Sequence, residues 1–514
     1  MSNAARGPVV VVGPPGSRAE VVARALGAAL DAGPVLAEPE RSAQVGALAG
    51  EHPDARFVLV QRDLDACLRE GVGPEAWREA TTALLRELEA LAPERWCVVG
   101  RDRLLADPRG ELRRLCGFLG LTYDQAMLAP VERVRREEAA ATPLRAAQEV
   151  AARLEDLLAG ERPDVPAPPP ADGPLAFRSQ FTTTVPAILH RLGASLLIST
   201  YQAGRLVCAR PLGEQQLNTH FRAFDKPMGI AVAPGRFALG TRTEVWDYRD
   251  VPEVAPKLQP PGTHDACYLP RNRHVTGDIA VHEMAFAEGR LWVVATGFSC
   301  LATLDADHSF VPRWRPPFVS AVAAGDRCHL NGLGVRDGRV ATVTALGTTD
   351  EPGGWRERRA DGGVVVDVAS GEIVAGGLSM PHSPRWHDGR LYVLESGRGE
   401  LSVVDEATGT LTTVAALPGF TRGLAFAGPL AFVGLSQIRE HSTFGNLPLT
   451  RRLDERASGV WIVDLRSGAI AGFLRFEDLV QEVFDVALLP GARHPEIAEP
   501  GSSAVATSYV LPAA

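Results

Sequence analysis

The chain has 514 residues, 45% hydrophobic and 22% charged, with a formal net charge of 53 − 62 = −9. That length exceeds one ordinary domain, and the balance excludes a disordered or fibrous chain. Residues 1–160 hold 20 basic and 24 acidic side chains and the remainder 33 and 38, so neither part has the basic face that nucleic acid requires.

No apolar run reaches the roughly 18 residues of a membrane helix, and the five residues Pro8–Val12 are too few for a signal-peptide core. Seven scattered cysteines without a CxxC pair predict reduced thiols and a cytoplasmic location, with neither nucleic acid nor membrane as partner. Only Lys226 and Lys257 are lysines, an arginine bias that suits a GC-rich bacterial genome.

Up to residue 160, short apolar runs alternate with helical patterns. Val9–Val12, Phe57–Val60 and Cys97–Val99 read as buried parallel strands, and Glu20–Leu30, Trp77–Leu91 and Gly110–Leu119 as helices. This predicts an α/β domain over 1–160. Between its first strand and helix lies Gly13-Pro14-Pro15-Gly16-Ser17-Arg18, a turn suited to cradle phosphate on free helix N–H groups. It is not a Walker A loop, since no Gly-Lys-Ser/Thr follows.

Three segments carry a resemblance. ARFVLVQRDLDAC (55–67) resembles the 3′-phosphate-binding strand and helix of sulfotransferases, with Arg62 at the position of the family arginine. VGRDRLLADPRGELRRLCGFLGL, from Val99, resembles that family's later conserved segment, and the opening turn occupies the place of its phosphosulfate loop. The resemblance implies a P-loop-like fold and a site for 3′-phosphoadenosine-5′-phosphosulfate (PAPS) built from Gly13, Gly16, Ser17, Arg18 and Arg62. The departures point the other way. The loop lacks the family threonine, Glu70 stands where a phosphate-binding serine is expected, and only about 45 residues separate turn and arginine. A carboxylate at that position repels phosphate. The sole histidine of the region, His52, sits in a polar turn. The domain therefore reads as degenerate, with PAPS a cofactor only if it is active.

A Pro-rich linker follows (161–180), and then the texture becomes all-β. A repeat of strand, two-residue turn ending in glycine and second strand begins at Met228, His282, Asn331, His382 and Arg422, with a weaker copy at Phe484. Successive starts lie 54, 49, 51, 40 and 62 residues apart, a period that predicts a β-propeller. Six copies give six blades over 181–498, ahead of a tail, 499–514. The unassigned strands Leu196–Thr200 and Leu206–Ala209 are expected to complete the last blade and close the ring, leaving no open edge. Seven blades is the structural rival.

Innermost strands line the channel, so residues at one repeat position converge near the axis. His282, His382 and Arg422 are the candidate catalytic residues. His282, His329, Asn331 and His382 are candidate ligands for a divalent metal, Zn²⁺ or Ca²⁺. Arg385, Glu283, Asp485 and Arg439 are candidate ligand-binding residues. Arg271, Arg385, Arg422 and Arg439 together suggest an anion, and pairing with Asp278, Glu283, Glu395 and Glu440 is the alternative. Trp314, Trp355 and Trp386 serve either as pocket walls or as packing between blades.

The segments THDACYLPRNRHVTGD, DRCHLNG, MPHSPRW, LPGFTRGLAF and GLSQIRE resemble a family of conserved bacterial propeller proteins, found alone or joined to sulfotransferase-like or tetratricopeptide segments. The resemblance runs from about Phe181 to Pro495 and implies the fold without an activity. Three functions stand beside one another. One is a channel for a small or peptide-like anionic ligand, with metal-assisted lyase or hydrolase chemistry. Another is a PAPS-dependent sulfotransferase whose propeller selects the acceptor. The third is a non-catalytic propeller that binds a protein partner.

Overall fold

The computed structural model describes 177–511 except 438–446 and 478. Before 177 it describes 9–12, 35–37, 45–51, 53–61, 83–84, 86–88, 90–92, 95–100, 104, 108–119, 125–133, 150–155 and 157–158. Gly13, Gly16, Ser17, Arg18, His52, Arg62, Glu70, Arg439 and Glu440 lie outside the described residues. The chain forms two compact units, 1–145 and 146–514.

The first unit has a four-stranded parallel sheet in the order Val35–Ala37, Val9–Val12, Arg56–Gln61, Trp96–Gly100. Strand alternation divides its apolar side chains between two cores. Val9, Val11, Val58 and Val60 meet Leu112, Leu115 and Leu119 of helix Pro108–Leu119. Val10, Val12, Phe57 and Leu59 meet Val45, Leu48, Leu84 and Leu88 on the other face. A sheet covered on both faces explains the unbroken valine run at Val9–Val12. The strand Val35–Ala37 was not anticipated, being only three residues long.

The second unit is a six-bladed propeller. Its innermost strands are Ile230–Ala233, Val281–Ala287, Leu330–Arg336, Pro381–His387, Phe420–Ala427 and Asp485–Pro490, in blades 1 to 6. Blade 6 closes the ring with strands of distant origin. Asp485–Pro490 pairs antiparallel with Ala194–Thr200, in the register Asp485 to Ser199 and Leu488 to Leu196, and Arg205–Leu212 follows. Two short strands add further ties. Ser179–Phe181 joins the outer edge of blade 5, and Pro495–Ile497 runs parallel to Ala266–Val275 on blade 1. Helical residues 150–155 belong with this unit, because Leu154 is buried among Val185, Ile188 and Leu189 of helix Thr184–Leu192.

The hairpins follow the sequence repeat. At Asp388-Gly389 both residues have positive φ (47° and 72°), the type I′ turn whose twist matches the flanking strands. Two features not visible in the repeat shape the axis. Each inner strand of blades 2 to 5 carries a β-bulge at the repeat position; in blade 4, His382 pairs with Leu394 but Arg385 with Tyr392. In blades 1 to 4 the residue two before the repeat position is left-handed: Lys226, Ala280, His329 and Met380, at φ 49–53°.

Among the described residues no helix is long and apolar enough to cross a membrane, and the six described cysteines are free thiols.

Candidate functional site

The bulges bring two consecutive residues of a blade to the axis. His282, Glu283, Asn331, His382, Ser383, Arg422, Phe484 and Asp485 enclose one cavity with about 10 Å³ of room for the centre of a water molecule. That is space on the order of one water at the narrow inner end of a cleft that opens to solvent. The repeat register thus does converge; the step to Glu283 is supplied by the bulge of blade 2, while Asp485 opens the regular inner strand of blade 6.

The residue after the repeat position alternates around the ring. Blades 1, 3 and 5 have Gly229, Gly332 and Gly423, and blades 2, 4 and 6 have Glu283, Ser383 and Asp485. Each of the latter accepts a backbone N–H of the next blade. Leu333 N–H donates to Glu283 Oε2 (3.1 Å), Gly423 N–H to Ser383 Oγ (3.1 Å) and Ile230 N–H to Asp485 Oδ2 (2.8 Å). The neighbour's side chain thus satisfies an N–H near the bulges of blades 3 and 5 and at the start of the inner strand of blade 1. Close approach explains the glycines. A Cβ on Gly423 would lie 2.6 Å from Val486 N and 2.7 Å from Asp485 Cα.

Glu283 also pairs with Arg385, whose Nη1 donates to Leu333 O (3.1 Å) as well. Burial, only partly offset by Arg385, pushes the Glu283 carboxyl up to about 7. Burial likewise raises Asp485. Asn331 is engaged at both ends: its Nδ2 donates to Pro381 O (3.0 Å) and its Oδ1 accepts from Thr344 Oγ1 (2.6 Å). It ties blade 3 to blade 4, so its expected ligand oxygen is already occupied.

The imidazoles are arranged differently. The left-handed residue two positions earlier turns its carbonyl back onto the ring. His282 Nδ1 donates to Ala280 O (3.1 Å) and His382 Nδ1 to Met380 O (3.0 Å), with Ser396 Oγ at 2.8 Å from the latter. These bonds fix the tautomer and leave Nε2 as an acceptor in each ring. Burial first, with neighbouring imidazoles and Arg422, holds both well below their ordinary value, so both are neutral.

Arg422 is the cation of the cavity. Its guanidinium carbon stands 3.4 Å from the centroid of the Phe484 ring. Burial lowers its pKa to about 10, with Glu482 and Asp485 opposing, so it stays charged. Its Nη2 is buried without a hydrogen-bond partner.

Of the four arginines expected together, the three described ones, Arg271, Arg385 and Arg422, do not form one cluster. Arg385 is spent on Glu283, and Arg271 is exposed and donates to Ser508 O (3.2 Å). His329 stands beside His282, its ring edge-on at 4.7 Å between centroids. Its Nδ1 is held by Asp326 (2.8 Å), which also accepts from Trp355 Nε1 (3.0 Å). Asp326 was not singled out, because its role depends on a left-handed loop (φ 49° at both Asp326 and His329) that folds it back onto the ring. Trp355 is buried packing, as are Trp314 and Trp386 in part. Among the described residues no three His, Cys, Asp or Glu side chains converge as a group that could hold a metal.

Fold and axis together define a six-bladed propeller with a half-buried cation and two acceptor imidazoles at its centre, preceded by an α/β unit. Residues 183–498, more than half the chain, match the family described as a domain of unknown function (DUF4915), and the chain belongs to that family. Residues 35–125 match the sulfotransferase family, so the N-terminal unit is sulfotransferase-like. No curated protein matches the sequence. Two solved structures are similar at low identity. One is a chain of a nidogen/laminin complex (TM-score 0.39, 10% identity, covering 58% of this chain and 99% of that one). The other is a protein of unknown function from Bacteroides caccae (TM-score 0.35, 9% identity, 58% and 98%).

Proposed function

We propose that the propeller is a recognition module that captures the anionic end of a small or peptide-like molecule at its axis. The observation that carries this reading is Arg422, a half-buried charged guanidinium whose buried Nη2 is unpartnered, beside two imidazoles whose Nε2 atoms are acceptors. A buried unpaired donor costs on the order of 1–3 kcal/mol, and an anion that accepts from it recovers that. The imidazole lone pairs add selectivity. A hydroxyl or ammonium donor beside the anionic group, as in a 2-hydroxy acid or an amino acid, strengthens the binding.

A divalent metal is the less favoured occupant. Arg422 repels it, and Asn331 is already bonded at both ends. The N-terminal unit, in this reading, does not use PAPS, a proposal that rests on Glu70 and the altered turn in the sequence.

Calorimetry of the full chain with lactate, acetate and glycine tests the reading. Lactate or glycine binding more tightly than acetate, with binding lost in Arg422→Met, supports it. Equal binding to wild type and Arg422→Met refutes it, as does binding of Zn²⁺ in preference to all three.

A further inference from the structure

The cluster Asp326, His329 and Trp355 lies outside the cavity lining but one ring away from it. His282 is edge-on both to His329 (4.7 Å) and to Phe484 (5.2 Å), and Phe484 carries Arg422. Asp326 is held by Trp355 Nε1 and faces the Arg356 guanidinium at 3.9 Å. It therefore keeps its orientation while accepting from His329 Nδ1, which leaves His329 Nε2 as the base. His329 is 17% exposed and Asp326 23%, so water reaches the pair. The segment is fixed rather than loose: Asp326 N–H donates to Gly297 O, and His329 O accepts from Leu346 N–H.

We propose that Asp326 and His329 form a hydrolytic dyad for carboxylic esters whose acyl part carries an anionic group, anchored at Arg422. The inference rests on the anion-binding reading of the axis. The His329 ring is hydrogen-bonded to Asp326 and, among the described residues, to no hydroxyl, and Ser396 Oγ donates to Thr421 O (2.5 Å). The nucleophile is therefore water.

His329 Nε2 takes a proton from water as the water oxygen bonds to the acyl carbon. The carbonyl pair moves onto its oxygen. When that pair re-forms the carbonyl, the acyl–oxygen bond breaks, its electrons stay on the alkoxy oxygen, and the proton on His329 Nε2 passes to that oxygen. Acid and alcohol leave, and His329 is neutral again. An ester fits this machinery because its alkoxide departs with one proton returned by the same imidazole. In this scheme His329 is the catalytic residue and Asp326 the positioning residue.

The test uses the full chain with the 4-nitrophenyl monoester of succinate, which carries a free carboxylate, and with neutral 4-nitrophenyl acetate. The succinate ester is expected to be cleaved with the higher kcat/KM. His329→Gln is expected to lower kcat by roughly 10²-fold or more with succinate binding intact. Asp326→Asn is expected to lower kcat at unchanged KM, whereas Arg422→Met raises KM and removes the preference. Circular dichroism confirms the folding of each variant. Folded His329→Gln that cleaves at the wild-type rate overturns the dyad. Succinate binding by calorimetry without cleavage overturns the dyad alone; neither binding nor cleavage overturns the axis reading with it.

Discussion

Gly423→Ala isolates how tightly the blades lock at the axis. Gly423 has φ +79°, where an L side chain costs about 1–2 kcal/mol. A Cβ there also stands 2.6 Å from Val486 N and 2.7 Å from Asp485 Cα. These are backbone atoms of the neighbouring blade and cannot rotate away. Forcing them apart adds about 1–3 kcal/mol of overpacking, for a total of about 2–5 kcal/mol. Gly389→Ala is the control. Its φ is +72°, but nothing lies within 4 Å of the added methyl, so only the backbone term of about 1–2 kcal/mol applies. Calorimetric unfolding of both variants reads the difference in the propeller transition. Gly423→Ala is expected to lower the midpoint markedly more than Gly389→Ala. Equal shifts would refute the close interblade approach.

Two further outcomes follow from buried charge. Arg385→Met leaves Glu283 with one N–H partner, and the variant is expected to lose about 2–4 kcal/mol, somewhat under the usual cost of breaking a fully buried pair because Arg385 is partly exposed. Since the Glu283 carboxyl titrates near 7 and is neutral in acid, that loss should shrink from about pH 8 to about pH 5 in urea unfolding. His220 and His494 flank the strand Pro495–Ile497. Burial, then Arg210, pushes them down to about 3 and about 4. Their ordinary value is 6.5, so the unfolded chain takes up protons that the folded chain refuses as pH falls below it. Thermal midpoints are expected to fall from pH 6.5 toward pH 4, less steeply in His220→Gln; identical slopes would exclude His220 as a cause.

Much of the propeller could be read from one residue type. A glycine six or seven residues after the repeat position marks the hairpins of blades 1 to 5, and these five with the weaker copy at Phe484 fix the blade count and the position of the axis. The closure of blade 6 was legible because Leu196–Thr200 and Leu206–Ala209 had no partner in the repeat. The axis was half legible. His282, His382 and Arg422 stand at the repeat position and do converge. The bulges of blades 2 and 4 were invisible in the short repeat copies, so the interblade ties of Glu283 and Ser383 could not be assigned. Asn331 looked like a ligand because an amide suits metals and backbone ties equally, and only its bonds to Pro381 and Thr344 decide. Asp326 escaped for a similar reason: a carboxylate three residues before a histidine reaches it only through two left-handed residues.

Calorimetric titration of lactate into the wild-type chain and into Arg422→Met tests the central claim most directly. The half-buried guanidinium with its open Nη2 predicts one site in the wild type and none in the variant. Saturable lactate binding that survives in Arg422→Met would contradict the account.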